Sequence, residues 1–202
     1  IVTTCLSGKE GEKGILDVVS FPERVFPIGR LDKETTWLII LTNDGRLSNY
    51  LMHPRYEHEK EYVVEVYGKI EDEALEKMRR WVKIELKDNG SRKKIVRRIG
   101  GKDTLITRKY TTAPCEIMRL SSSKFAITLR EGKNRQIRRM VAAVDHDVKR
   151  LKRVRIENIL LGDLPEGKWR TFSPEEKRSI LSRIEKFSTS HIEEDEPSSW
   201  EE

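Results

Sequence analysis

The sequence predicts an α+β fold built around a mainly antiparallel sheet. Apolar stretches of strand length follow one another closely, helices with an i, i+3, i+4 pattern are interspersed, and no strand–helix–strand unit repeats. A regular repeat of that unit is typical of parallel sheets. Its absence favours strands that pair with their neighbours along the chain, with helices flanking the sheet.

The elements of the first half follow from their apolar periods. The continuous run Trp37–Leu41 has the length of a buried strand and ends in turn residues. The segment Lys60–Tyr67 alternates, with Tyr62 on its apolar face, which indicates a half-buried strand. Two helices complete this half: one that buries Leu47, Tyr50 and Leu51 and stops at Pro54, and one over 71–82 that buries Leu75, Met78 and Val82.

The second half contains three predicted strands and two helices. Strands are expected over 115–120, 124–130 and 154–159. Asn134 is the expected N-cap of a helix that buries Ile137, Met140, Val141 and Val144, and Ser173-Pro174-Glu175-Glu176 is a capping box that opens a helix through Ile180, Leu181 and Ile184. Five of the seven residues 92–98 are basic, and we expect segment 88–104 to be an exposed hairpin or loop that lies on a phosphate backbone.

The charge distribution predicts a polyanionic partner. The chain of 202 residues carries a net charge of +6, but residues 190–202 contain six acidic residues and no Lys or Arg. Without this tail, 28 acidic residues stand against 40 basic ones, so the body carries +12. Such a body favours nucleic acid, although a merely solvated basic surface is an alternative. We expect the acidic tail, residues 188–202, to be disordered.

Several protein classes are disfavoured by the sequence. No apolar stretch approaches the length of a membrane span, and no signal peptide is visible. The two cysteines, Cys5 and Cys115, lie far apart without metal-ligand spacing, so we expect a cytoplasmic protein with reduced thiols and no metal. The chain begins with Ile rather than Met, which indicates a fragment or a trimmed chain.

Three clusters are candidates for chemistry, and each has a structural alternative. Asp32 in Gly29-Arg30-Leu31-Asp32 could be a helix cap or part of an ion pair, and Tyr62 in Lys60-x-Tyr62 could be a core tyrosine. The segment Arg130–Met140, "REGKNRQIRRM", could be a basic helix face. Its Gly132, Lys133 and Asn134 could equally form an anion site at a helix N-terminus.

The combination and order of the motifs carry more information than each motif alone. "GRLDKET", "LTNDG", "HPRYEHEKEY", "REGKNRQIRRM" and "LKRVRI" occur in this order. Over residues 1–175 the chain thus resembles the RNA pseudouridine synthases of the branch that modifies bacterial ribosomal RNA. The resemblance implies a catalytic domain over residues 1–187 with a central active-site cleft. The small RNA-binding module that often precedes this domain in relatives is expected to be absent from the chain.

The resemblance also implies roles for individual residues. Enzymes of this family break the glycosidic bond of a uridine in RNA, rotate the uracil and rejoin it to the ribose through C5, without a cofactor or metal. Their essential aspartate corresponds to Asp32, their stacking tyrosine to Tyr62, and the basic partner of the aspartate to Arg138, beside the apolar wall Ile137. The carboxylate could act as a nucleophile at the anomeric carbon, as a nucleophile on the base, or as a base for the ribose 2′ proton.

Elementary chemistry is consistent with these roles. An arginine beside Asp32 would keep the carboxylate ionised, and the apolar run Trp37–Leu41 is expected to give it a rigid anchor. A stacked base must be flipped out of folded RNA before it can react. Candidates for gripping phosphates or filling the vacated space are basic residues of the motifs: Arg30, Arg46, Lys60, Lys133, Arg135 and Arg139.

Three departures from the family pattern and three alternatives stay open. Trp37, Asp145 and Asn158 occupy positions where relatives usually carry glycine. The expected substrate is large-subunit ribosomal RNA, with transfer RNA as an alternative. A non-catalytic RNA-binding ribosome-assembly factor is the rival from another class, and a DNA-binding domain is disfavoured because no helix-turn-helix or zinc motif occurs. We expect a monomer.

Overall fold

The structure, a computed structural model, describes residues 14–15, 21, 23–29, 32, 36–86, 96–99, 102–105 and 108–190. The chain divides into two compact units. Unit 1 comprises Ile1–Lys33, Trp37–His58 and Arg155–Glu202, and unit 2 comprises Glu34–Thr36 and Glu59–Val154. None of the helices in the described ranges is long and apolar enough to cross a membrane.

The elements follow the α+β order that the sequence predicts. The strands are β1 (Phe26–Pro27), β2 (Thr36–Trp37), β3 (Leu41–Thr42), β4 (Lys60–Val66), β5 (Lys83–Leu86), β6 (Val96–Ile99), β7 (Lys102–Leu105), β8 (Arg108–Thr111), β9 (Glu116–Arg119), β10 (Lys124–Leu129), β11 (Val148–Ile156) and β12 (Ile159–Leu160). The helices are α1 (Gly45–Met52), α2 (Asp72–Arg80), α3 (Gln136–Ala142) and α4 (Pro174–Ser190), with a short 3₁₀ helix over Pro54–Tyr56.

Unit 1 is built around helices α1 and α4. Strand β1 pairs antiparallel with β3, and β12 pairs antiparallel with the end of β11. The apolar sides of the two helices and the neighbouring strands form one core, which includes Ile28, Leu38, Ile40, Leu47, Tyr50, Leu51, Ile156, Ile159, Ile180 and Ile184. The predicted capping box is confirmed: the N–H of Glu176 donates to Ser173 Oγ (3.1 Å), and the N–H of Ser173 donates to Glu176 Oε2 (2.7 Å).

Unit 2 contains a sheet in the order β11–β4–β10–β9. Strand β10 pairs antiparallel with β9, its neighbour along the chain, as predicted. It also pairs antiparallel with β4, which lies far from it in the sequence. Its Phe125 is fully buried and lies opposite the buried Val64. The predicted buried faces of α2 and α3 are confirmed, with Leu75, Met78, Ile137, Met140 and Val141 among the buried side chains.

Strands β4 and β11 are neighbours in the sheet and are joined where β4 ends and β11 begins. The N–H of Tyr67 donates to the carbonyl of Asp147 (3.0 Å), and Lys149 Nζ lies 2.9 Å from Glu65 Oε1. The later residue of β4 thus meets the earlier residue of β11, which indicates an antiparallel pair. Continued without interruption, this register brings Tyr62 opposite Lys152, one position from Arg153.

Two strand predictions are wrong. The apolar run Trp37–Leu41 is not one strand, because only its ends lie in β2 and β3, while Leu38 and Ile40 instead turn into the core of unit 1. The strand expected over 154–159 begins earlier, at Val148, and ends at Ile156 before the separate β12. The helix predicted through Ile180, Leu181 and Ile184 is confirmed as α4, in which Ile180 and Ile184 are buried and Leu181 is 38% exposed.

The expected N-cap of α3 is also wrong. Arg135 occupies that position, with a φ of +51°, and α3 begins at Gln136. Asn134 does not cap the helix because its Oδ1 accepts a hydrogen bond from Arg139 Nη2 (3.0 Å). In the basic segment, β6 and β7 form an antiparallel hairpin, whereas residues 92–95 and the acidic tail beyond Ser190 lie outside the described residues.

Candidate active site

Asp32 follows a backbone segment that unit 1 fixes firmly. The N–H of Ile28 donates to the carbonyl of Ile40 (2.8 Å), and the N–H of Gly29 contacts Met52 Sδ at 3.1 Å. Gly29 has a φ of +86°, a conformation that favours glycine and redirects the chain. Asp32 itself is half-buried. Its approach is therefore anchored by Ile28 and Gly29 and not by a continuous strand over 37–41; Arg30 lies outside the described residues.

Tyr62 is held by a buried arginine that the sequence did not single out. Tyr62 is half-buried on β4, and Arg153 on the neighbouring β11 is only 6% exposed. The Arg153 guanidinium is hydrogen-bonded to the Tyr62 side chain. Burial lowers the pKa of Arg153, and the hydrogen bond and charge interaction with Tyr62 oppose this shift. Unit 2 thus places a permanent positive charge next to the predicted stacking tyrosine.

Helix α3 carries two further predicted site residues in the same unit. Ile137 is 4% exposed, as expected for an apolar wall. Arg138 is half-buried, and its Nη1 contacts the carbonyl of Val148 at 3.4 Å. Since Val148 is the first residue of β11, the Arg138 side chain extends from the helix toward the strand that carries Arg153.

The turn before α3 is held by the carboxylate of Glu131. Its oxygens accept hydrogen bonds from the N–H of Ala113 (3.0 Å), the amide of Gln136 and the hydroxyl of Tyr110. The hydrogen bond to Glu131, followed by burial, raises the pKa of Tyr110 to about 12. Lys133 Nζ lies over the Tyr110 ring, 4.8 Å from its centroid. Glu131 therefore links β8 to the N-terminus of α3.

The remaining predicted RNA-binding residues are spread over both units. Arg46 in unit 1 binds Asp44, the N-cap of α1, with 2.9 Å between Nη2 and Oδ2, and this hydrogen bond lowers the pKa of Asp44. In unit 2, Lys60 is half-buried in β4, Arg135 is exposed, and Arg139 binds Asn134. Arg46 and Arg139 thus already have structural contacts, and an RNA phosphate would have to compete with them or share them.

The structure brings only part of the predicted constellation into one unit. Tyr62, Ile137 and Arg138 belong to unit 2, whereas Asp32 belongs to unit 1, and their meeting in one site stays a prediction. Sequence reasoning missed Arg153 and Glu131. Arg153 lies two residues from the buried Leu151 on the same strand face, and a basic residue at such an inward position was the available signal.

Unit 1 contains a mostly apolar cavity of about 400 Å³ along α1, lined by Phe26, Gly45, Ser48, Asn49, Met52, His53 and Pro54. None of the predicted site residues lines it. Within the described ranges, no group of three His, Cys, Asp or Glu side chains is arranged to hold a metal ion.

Comparison with known proteins gives one consistent result. The profile of the RNA pseudouridylate synthase family matches residues 10–143. An RNA pseudouridine synthase of Aquifex aeolicus is 38% identical over 178 residues, 87% of this chain and 63% of the relative. The dual-specificity RNA pseudouridine synthase RluF of Escherichia coli (strain K12) is 37% identical over 182 residues, 90% of this chain and 55% of the relative.

A further relative agrees with this family, and a solved structure shows the same fold. Ribosomal large subunit pseudouridine synthase B of Bacillus subtilis (strain 168) is 36% identical over 185 residues, 87% of this chain and 66% of the relative. A crystal structure of a pseudouridylate synthase superposes with a TM-score of 0.62 at 24% identity, covering 91% of this chain and 69% of that one. The chain thus spans somewhat more than half of the length of these sequence relatives. The chain belongs to the RNA pseudouridylate synthase family, in the branch that contains RluF and ribosomal large subunit pseudouridine synthase B.

Proposed function

We propose that this protein isomerises uridine to pseudouridine in RNA, and that its substrate is large-subunit ribosomal RNA. One observation carries the proposal: relatives named for this activity match 87–90% of the chain at 36–38% identity. The net charge of +12 outside the acidic tail supports an RNA partner. We also expect the protein to act as a monomer in the cytoplasm, as the sequence predicts.

In the proposed reaction the bond between C1′ and N1 breaks and a bond between C1′ and C5 forms. N1 gains a proton and C5 loses one, so the composition of the nucleotide does not change. Asp32 serves as the nucleophile or base, Arg138 pairs with its carboxylate and keeps it ionised, and Tyr62 stacks on the uracil. Ile137 closes the apolar side of the pocket, where exclusion of water strengthens the charge interactions.

The test uses RNA that carries tritium at C5 of its uridines, because formation of the new bond to C5 releases this hydrogen to water. A transcript of large-subunit ribosomal RNA and a transfer RNA are treated with the wild-type protein and with Asp32→Asn. We expect release from the ribosomal transcript by the wild type and none by Asp32→Asn, whose amide is a far weaker nucleophile and base. RNA affinity of the variant stays within about three-fold, since phosphate contacts dominate binding.

Asp163→Asn is the matched control, because it makes the same chemical change at an exposed turn of the same unit. It should release tritium at the wild-type rate. Release by Asp32→Asn would show that Asp32 is misassigned. Release from the transfer RNA alone would replace the proposed substrate, and binding of RNA without any release would favour the non-catalytic alternative.

A further inference from the structure

Arg153 is a buried cation with no part in the reaction as proposed above. It is 6% exposed, and charged side chains are rarely buried to this extent unless they are paired. Its guanidinium is hydrogen-bonded to Tyr62, on the strand next to its own.

Stability alone does not account for this cation. Burial opposes the charge of Arg153 and lowers its pKa, yet a guanidinium stays protonated under ordinary conditions. Taking a charge out of water is costly, and even a buried ion pair is weak evidence for a contribution to stability. The position of the charge therefore calls for a role beyond packing.

The sheet brings the two side chains together. Tyr62 lies on β4 and Arg153 on the neighbouring β11, and the Arg153 guanidinium is hydrogen-bonded to the Tyr62 side chain. Both residues lie in unit 2 within one sheet. Arg153 therefore approaches Tyr62 from a rigid strand and not from a loop.

We propose that Arg153 is a positioning residue, which fixes the ring of Tyr62 and turns its hydroxyl proton away from β11. The inference rests on the proposed function, because it assigns a task within that site. A guanidinium only donates hydrogen bonds, so it occupies a lone pair of the Tyr62 oxygen. The hydroxyl hydrogen then points away from Arg153. Its planar, fork-shaped end also restricts rotation of the ring more than a lysine would.

This arrangement would act on the reacting base in two ways. A ring held in one plane presents the same face to every uracil that enters, which is the positioning on which rates depend steeply. A hydroxyl that already accepts a hydrogen bond from a cation also becomes a stronger donor to any acceptor of the flipped nucleotide that lies in the plane of the ring. Both effects need the Tyr62 hydroxyl, and this requirement makes the proposal testable.

The experiment is a double-mutant cycle with Arg153→Met, Tyr62→Phe and the double variant. The conversion rate of the large-subunit ribosomal transcript is measured in single turnover at saturating RNA. Arg153→Met should slow conversion by about 10-fold to 100-fold. In the Tyr62→Phe background the same change should alter the rate by less than about two-fold, because the partner hydroxyl is already absent.

Equal slowing by Arg153→Met in both backgrounds would overturn the proposal, because Arg153 would then act independently of the hydroxyl. A wild-type rate for Arg153→Met would overturn it as well. Lys152→Met is the matched control: it removes one positive charge from the exposed neighbour on β11 and should leave the rate at saturation within about two-fold.

A second variant covers the case in which Arg153→Met does not fold, as judged by circular dichroism. Arg153→Lys keeps the charge but lacks the planar fork, and it should slow conversion only when Tyr62 is present. A wild-type rate for Arg153→Lys would overturn the positioning role. Failure of the proposed function is distinct from all these outcomes, because the wild-type protein would then convert no uridine.

Discussion

At the scale of single residues, Asp145 is a non-glycine residue in the left-handed conformation that ends helix α3. Asp145 follows α3 with a φ of +62°, and its N–H donates to the carbonyl of Ala142 (3.1 Å). The next N–H, of His146, reaches back to the carbonyl of Val141 (3.1 Å). Helices commonly end in this left-handed conformation, and glycine adopts it without steric cost. Asp145 therefore carries strain that the glycine usual in relatives would avoid.

Asp145→Gly should accordingly raise the free energy of unfolding by about 0.5–1 kcal/mol, measured by urea denaturation. Asp147→Gly is the control, because Asp147 is equally exposed and its φ is not positive. There glycine only adds freedom to the unfolded chain and should be neutral or slightly destabilising. Equal effects of the two substitutions would contradict this account of the helix end.

The sequence predicted the strand position of Tyr62 and missed Arg153 for a physical reason. Tyr62 shares its strand face with the buried Val64 and Val66, as the alternating sequence predicts, and is itself half-buried. Arg153 was missed because basic residues also occupy the exposed positions around it, including Lys149, Arg150 and Lys152, and this hides the period of β11. Arg153 becomes recognisable as an inward-facing cation only when the strands that flank β11 in the sheet are known.

At the scale of elements, the Glu131 carboxylate connects the two-stranded β5–β8 sheet with helix α3. It binds Tyr110 at the end of β8 and Gln136 at the start of α3. Gln136 is 4% exposed, and its Oε1 accepts from the N–H of Lys133 (2.9 Å). These hydrogen bonds join the turn before α3, the helix that carries Ile137 and Arg138, to strand β8.

The Tyr110 hydroxyl provides a direct readout of this connection. Its pKa in the folded protein is about 12, above the ordinary value of 10.0. The hydrogen-bonded, neutral form thus stabilises the fold fully below pH 10, and this contribution is lost as the pH rises through about 12. The difference in unfolding free energy between the wild type and Tyr110→Phe should therefore shrink from pH 10 upward.

Ultraviolet titration of tyrosinate measures the same group directly. Glu131→Gln removes the accepting charge and should move the Tyr110 titration from about 12 toward 10. Tyr67→Phe is the control, because Tyr67 is 64% exposed and its loss should leave the component near pH 12 in place. A titration unchanged by Glu131→Gln would argue against the link between β8 and α3.

Prediction of the elements succeeded where the apolar period was regular. Strands β4, β9 and β10 and the buried faces of α1, α2 and α3 agree with the sequence analysis. The run 37–41 misled because length and apolarity alone do not distinguish a strand from an irregular segment that fills a core. Asn134 misled because a neighbouring arginine competes for its side chain.

At the scale of the whole molecule, charge is unevenly distributed: residues 190–202 are acidic and the remaining chain is basic. The six acidic residues of the tail oppose the +12 of the remaining chain. A polyanion should therefore bind more tightly when the tail is neutralised, because net charge governs long-range attraction to phosphates. The family assignment required several motifs in order, since neither net charge nor any one motif distinguishes an enzyme from another RNA-binding protein.

We expect that changing Glu193, Glu194, Asp195, Glu196, Glu201 and Glu202 to their amides will tighten RNA binding a few-fold at low salt and hardly at all at high salt. Filter binding at several salt concentrations measures this effect. Glu73→Gln with Glu166→Gln neutralises exposed carboxylates on the body and should change the affinity less. A salt-independent gain would mean that the tail acts by a contact other than charge.

The central claim is that this chain forms pseudouridine in ribosomal RNA with Asp32 as the essential group. Its most direct test maps pseudouridines in large-subunit ribosomal RNA from cells that lack the gene and are complemented with wild type, Asp163→Asn or Asp32→Asn. We predict that at least one pseudouridine is lost on deletion, returns with wild type and Asp163→Asn, and stays absent with Asp32→Asn. Identical maps with and without the gene, or restoration by Asp32→Asn, would contradict the claim.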